Sequence, residues 1–213
     1  MNSTSTIDKR KDKGRFSPER IAFAAMFAAL ICICSWIAVP NPFSAGVSFT
    51  LQTFGVILAG LLLSPFEAFL VGLVYMMLGI VGLPVMSGFG TLYTRFPTAG
   101  GGYIIGFYIT PVLIALARTG IFKITDPRFT GAKRKTAHFA VYLTLAIVIG
   151  ILAVDIPGII QGIYYTKMGL KQAIFPFALA FLPTDIVKCV LAALAASALE
   201  EPLMKIRSTT GNK

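Results

Sequence analysis

The chain has 213 residues, 56% of them hydrophobic and only 13% charged, with a mean hydropathy of +0.78. Water-soluble domains carry about 25% charged residues, so the composition excludes a soluble fold and implies an integral membrane protein with the lipid bilayer as its solvent. The net charge of +10 raises a nucleic-acid reading, which the placement of the charges excludes, since they gather at the ends of apolar runs and form no basic face.

Runs of about 20 apolar residues cross a bilayer as helices, and a chain of this length holds roughly six of them with short connections. The expected fold is an all-α membrane protein, a six-transmembrane-helix bundle. Residues 1–16 form a basic, disordered tail in this reading, 17–201 the bundle and 202–213 a C-terminal tail. Of the 19 Lys and Arg, six precede the first apolar run (Lys9, Arg10, Lys11, Lys13, Arg15, Arg20), six lie between Arg118 and Lys135, and three are in the tail (Lys205, Arg207, Lys213). The positive-inside rule makes these segments cytoplasmic, so both termini are inside and the number of spans is even.

Ser17, Pro18 and Glu19 supply an N-cap, a proline at the first helical position and an acid in the first turn, so helix 1 is expected to start there and to end at Pro40-Asn41-Pro42. A basic stretch ahead of an apolar one resembles a signal peptide, but the run from Ile21 to Val39 is too long and lacks a cleavage site; it reads as a retained span. Within it Ala24 and Ala28, and Ala25 and Ala29, form two small-xxx-small pairs, a groove for close approach by another helix of this bundle or by a partner. The run FTLQTFGVILAGLLLSP, 49–65, gives a second span of about 14 residues, too short to cross upright on its own, so it is either extended by the preceding loop or partly re-entrant. Gln52 at its outer end offers an amide to a ligand, a cap or another helix.

Helix 3 is expected from Pro65 to Gly82, with Glu67 at the end where the helix dipole favours an acid. The segment LPVMSGFGTLYTRFPTAGGGY, 83–103, is long, rich in glycine and aromatics, carries a single charge, Arg95, and reads as a lid. Its Gly100-Gly101-Gly102 signals close backbone approach and a hinge, because no nucleotide-binding P-loop pattern occurs in the chain. Helix 4 is expected from Tyr103 to Arg118, with Pro111 kinking it. Helix 5 is expected from Ala137 to Val154, which leaves Asp155 at the interface and 158–170 lying over the outer surface.

Helix 6, from Lys171 to Glu200, carries the feature that points to function: Asp185 and Lys188, three residues apart and therefore on one helical face. A charge near mid-bilayer costs a few kcal/mol or more, so such residues face a cavity or a partner. At 1.5 Å per residue Asp185 stands about 23 Å from Glu200, in the outer half of the membrane. Pro183 just before it frees a backbone carbonyl, as where a helix opens beside a cavity. The pair either fixes helix packing or serves a ligand. A packing pair is replaceable by apolar residues at little cost, which favours the ligand. Gln52, Arg95, Asp155 and Gln161 gather in the same outer half. Lys188 and Arg95 suit a carboxylate, Asp185 suits N–H donors, and Phe89, Tyr93, Phe96 and Tyr103 suit an apolar body. An amphipathic organic acid bearing amide-like donors satisfies all three.

Other chemistry is not expected. Cys32, Cys34 and Cys189 lie in apolar runs with no CxxC and no cluster of His or acids, so they read as packing and no metal site is assigned. His138, the single histidine, reads as interfacial. There is no HExxH, no GxSxG, no nucleotide motor and no ladder of titratable groups, so neither an enzyme nor a resident cofactor is expected, and transport would need an external motor.

The run FTLQTFGVILAGLLLSP, then GIVGLPVMSGFGTLY with PTAGGGYIIGF, and FLPTDIVKCVLAALAA resemble the signature segments of BioY, the biotin-binding S component of energy-coupling factor (ECF) transporters. The resemblance spans about residues 20–200; one departure is FPTAGGGY, where the family's loop reads closer to GPTGGY. It implies six helices with cytoplasmic termini and biotin bound near the outer face by Asp185, Lys188 and Arg95, in the cell membrane of a prokaryote. It further implies contact through Ala24, Ala25, Ala28 and Ala29 with a transmembrane coupling protein of the EcfT type, which works with two cytoplasmic ATPases. The alternatives are an S component for another vitamin, or a structural subunit in which Asp185 and Lys188 only pack.

Overall fold

The Ser17 hydroxyl accepts a hydrogen bond from the Arg20 amide, and Pro18 takes the first helical position, so α1 (Pro18–Trp36) starts where its capping residues dictate. The computed structural model describes residues 17–44, 46–125 and 131–210. The expected disordered tail, 1–16, lies outside the described residues.

After α1 the chain is not purely helical. Ala38–Val39 (β1) pairs antiparallel with Phe49–Thr50 (β2), with Ala38 opposite Thr50. This two-residue ladder delivers the chain to α2 (Gln52–Leu62), whose 11 residues make it shorter than the expected second span. α3 (Pro65–Ile80) opens with a reciprocal cap between Ser64 and Glu67. Glu67 does more than answer the helix dipole: it is buried and also accepts from Arg207 at 2.6 Å. The loop that follows contains a one-turn helix, α4 (Leu92–Arg95), capped by Thr91.

α5 (Gly101–Thr125) runs past the expected end at Arg118. The Arg118 guanidinium does not lie in a basic loop but turns back to donate to the Leu61 and Leu63 carbonyls, closing the C-terminal end of α2. Pro111 is held inside the helix.

The expected break at Val154 does not occur. α6 (Gly131–Leu145) continues through a wide turn, Ala146–Ile151, into α7 (Leu152–Thr166), with Pro157 inside it. Asp155 is therefore buried within a helix and does not end one, and 158–166 continues that helix with Ile160 and Tyr164 exposed on its outer side. Apolar surroundings leave a chain segment no water to satisfy its amides, so a proline costs one hydrogen bond while a break would cost several.

The expected sixth helix is in turn divided. A short α8 (Leu170–Ile174) passes through a wide turn, Phe175–Leu179, and a break at Ala180–Phe181 before α9 (Leu182–Thr210). α9 runs on through Pro202, so the expected tail from 202 is helical as far as Thr210. His138 is buried, not interfacial: it stacks on Phe122 and bonds Glu200 at 2.9 Å, tying α6 to α9.

Among the described residues three helical stretches, Gly101–Ile124, Lys133–Thr166 and Leu182–Arg207, are long and apolar enough to cross a membrane, and four shorter apolar helices accompany them. The core sits where α2 is enclosed by its neighbours: Val56, Ile57 and Leu61 of α2, Ile114 of α5 and Ala192, Ala193 and Ala196 of α9 are all fully buried. α5 and α7 meet backbone to backbone, because a Cβ at Gly102 would overlap the Pro157 carbonyl and one at Gly106 would stand 2.8 Å from the Val154 Cα. This approach holds Asp155 beside the space between helices.

Candidate ligand-binding site

At the end of the bundle where α1 finishes and α2, α5 and α9 begin, the helices part around a cavity of about 670 Å³ including its open mouth. α9 contributes the charged pair. Asp185 sits in its first turn, where the helix N-terminus favours an acid. Three residues on, the Lys188 ammonium donates to Asp185 Oδ1 at 2.8 Å, with the two residues only 8% and 4% exposed. Both line the cavity, and neither Asp185 Oδ2 nor Lys188 Nζ is among the sealed, unpartnered atoms. The pair is thus not closed on itself: one carboxylate oxygen has no partner and is not sealed, and the ammonium has two further N–H donors to offer.

Gln52, the first residue of α2, also lines the cavity and is buried. Its amide nitrogen donates to the Tyr75 hydroxyl at 2.6 Å, and that hydroxyl donates to the Val85 carbonyl at 3.0 Å. A tyrosine hydroxyl has one proton. With that proton on Val85, Gln52 must donate to Tyr75, and its carbonyl oxygen is the group left for a ligand.

Arg95 reaches the cavity from α4, its side chain lying over Gly88 and Gly90, where a Cβ would strike it. Among the described residues it has neither a carboxylate partner nor a hydrogen bond from its guanidinium. Tyr103 lines the cavity with its ring, but its proton goes to the Phe177 carbonyl at 2.6 Å.

The structure does not bring every expected residue here. Tyr93 is 66% exposed, donates to the Ile80 carbonyl at 2.6 Å and does not line the cavity. Phe89 stacks on Trp36 and Phe96 is exposed, so the loop aromatics fold over the helix ends, and the apolar wall comes from Ile104, Phe107 and Phe181 instead. Gln161 is spent on the Phe96 and Thr98 carbonyls and pins the loop to α7. The alanine pairs divide: Ala24 and Ala28 are buried inside this bundle, out of a partner's reach, while Ala25 and Ala29 lie on its outer face beside exposed Met26 and Ile33.

Asp155 is the residue the sequence reading undervalued. It lines the cavity at 5% exposure, and its Oδ1 has no hydrogen-bond partner. The signal was present, an acid within an apolar run, but the proline two residues later made a helix end the simpler reading. The backbone around Gly46, Val47, Ser48 and Thr98 completes the lining, and no sequence pattern marked it. Among the described residues no cluster of His, Cys, Asp and Glu is placed to hold a metal ion.

The arrangement combines an apolar wall with one acceptor pole at Asp155 and Asp185 and cations at Lys188 and Arg95. Residues 8–205 match the model of the BioY family. The chain is 33% identical over 187 residues to the probable biotin transporter BioY of Lysinibacillus sphaericus, covering 87% of each chain. It is 31% identical over 180 residues to the biotin transporter BioY of Thermotoga maritima, covering 84% of this chain and 94% of that one. A crystal structure of the S-component for biotin from an ECF-type ABC transporter superposes with a TM-score of 0.74 at 26% identity, over 86% of this chain and 91% of that one. On the extent of that family match and the full-length likeness of its relatives, the chain belongs to the BioY family.

Proposed function

We propose that this protein captures biotin with high affinity from outside a prokaryotic cell, as the S component of an ECF-type vitamin uptake transporter. The single observation that carries the reading is the buried Asp185–Lys188 pair, which keeps free valences on the wall of a cavity that also receives the unpartnered Arg95. A ureido N–H of biotin suits the free oxygen of Asp185, its ureido carbonyl suits Lys188, and its carboxylate suits Arg95. Family membership and the names carried by the relatives support this ligand over other vitamins.

In this reading six helical passes cross the cell membrane, both termini are cytoplasmic and the cavity opens outward, in keeping with the positive-inside distribution of Lys and Arg. Delivery depends on a transmembrane coupling protein and two cytoplasmic ATPases, since the chain carries no nucleotide motif. The exposed Ala25–Ala29 face is the contact for the coupling protein, because small side chains let helices approach closely.

Titration of the purified protein with labelled biotin tests the reading. Saturable binding is expected, weakened at least about 30-fold by Asp185→Asn or Lys188→Ala, since truncating one member of a buried charge pair carries a cost of that order. Displacement only by a different vitamin, or unchanged affinity in both folded variants, would overturn it.

A further inference from the structure

Asp155 is a carboxylate with nothing to hold it. It follows the wide turn between α6 and α7, lines the cavity together with Asp185 and Lys188, and lies within electrostatic reach of both. Its Oδ1 is sealed without a partner, its Oδ2 is not sealed and is the oxygen a ligand can reach, and among the described residues no donor is hydrogen-bonded to either. None of the donors lining the cavity is hydrogen-bonded to it: the Tyr103 proton goes to the Phe177 carbonyl, one Lys188 donor goes to Asp185, and Arg95 bonds neither acid. A buried acceptor left unpaired costs free energy comparable to a lost hydrogen bond, more if it is charged. Retaining the group in the apolar first turn of α7, Leu-Ala-Val-Asp-Ile, implies a donor that arrives with the ligand.

We infer that Asp155 accepts a hydrogen bond from one N–H of the bound ligand while Asp185 accepts from the other, so that the site selects a ring bearing two N–H donors astride a carbonyl. The inference rests on the biotin reading and adds a contact to it. The Asp185–Lys188 pair by itself offers one free acceptor oxygen and two donors, enough for the carbonyl and one N–H of a cyclic urea, and the second N–H needs another acceptor; the Gln52 carbonyl is neutral, and Asp155 is the remaining acid on the cavity wall. Asp155 supplies that second acceptor. No covalent step is involved.

The test is a coupling measurement on the full chain in detergent. Biotin and its two analogues with one ureido N–H replaced by CH₂ are titrated into wild type and Asp155→Ala, with thermal unfolding recorded for each. Loss of this hydrogen bond, with the ligand N–H left unpaired, is expected to weaken biotin binding to Asp155→Ala by about 10- to 100-fold. One analogue should bind wild type comparably poorly and show no further loss with Asp155→Ala, while the other keeps the full penalty. Equal penalties for both analogues, or biotin affinity within about threefold of wild type, would overturn the inference and leave the biotin reading standing. Failure of wild type to bind biotin would overturn both. Should Asp155→Ala not fold, Asp155→Asn keeps the shape, weakens the acceptor and supports the same comparison between the two analogues.

Discussion

Lys188 holds Asp185 by one oxygen, and the other oxygen is left facing the cavity. Two charges buried together gain little stability from each other, so their free valences matter more than their attraction. Arg95 belongs to the same scale. It carries five donors in a planar fork, and among the described residues none is taken by a carboxylate. Arg95→Ala is expected to weaken biotin by about 10- to 100-fold in equilibrium titration, and Arg95→Lys to recover only part, because an ammonium cannot grip a carboxylate with two parallel hydrogen bonds. The amide of biotin, which lacks the carboxylate, should bind wild type and Arg95→Ala alike. Asp185, Lys188 and Gln52 were legible in the sequence because a polar side chain in an apolar run has few places to go. Tyr93 was misread, since an aromatic in a polar loop can face either way and only the fold of the loop decides.

At the scale of elements, contact between α5 and α7 sets the width of the site. A Cβ at Gly102 would overlap the Pro157 carbonyl, whereas one at Gly120, further along the same helix, meets nothing within 4 Å. Gly102→Ala is expected to destabilise by about 1–3 kcal/mol through overpacking, read as a lowered thermal midpoint together with weaker biotin binding. Gly120→Ala should be neutral or stabilising by up to about 1 kcal/mol, the gain in helix propensity. The first helix offers a second paired comparison. Ala24→Leu or Ala28→Leu fills space already occupied and should destabilise the bundle itself. Ala25→Leu with Ala29→Leu should leave biotin titrations unchanged and abolish co-purification with the coupling protein. Spacing alone marked both pairs of alanines; it could not divide them, because helical period places four such residues on adjoining faces and packing chooses which face turns inward.

Across the whole molecule, polar groups separate into two ends. The cavity occupies one. At the other, Glu67 bonds Arg207 at 2.6 Å, His138 bonds Glu200 at 2.9 Å and Lys135 bonds Glu201 at 2.9 Å, so the last helix is fastened to α3 and α6 far from the ligand. Lys135 and Glu201 are exposed, and that pair contributes little. Glu67 is buried while Arg207 is partly open to solvent, so Arg207→Ala leaves a buried carboxylate with the Ser64 amide but without its cation and is expected to destabilise by about 1–3 kcal/mol. Biotin affinity should stay within about threefold, which a melting curve and a titration on the same sample would check.

Membrane class, the order of the apolar helices, the motif set of the family and the acid–base pair of α9 were all determined by the sequence alone, because each follows from local properties: hydropathy, helical period and residue spacing. Tertiary structure decided the rest. Helices ran on through Pro157 and Pro202, a β ladder preceded α2, and Asp155 turned into the cavity, since each of these depends on which backbone groups neighbouring helices satisfy and which space they leave open. A chain pattern records what a residue would cost in lipid; only the packed bundle shows where a buried charge finds room.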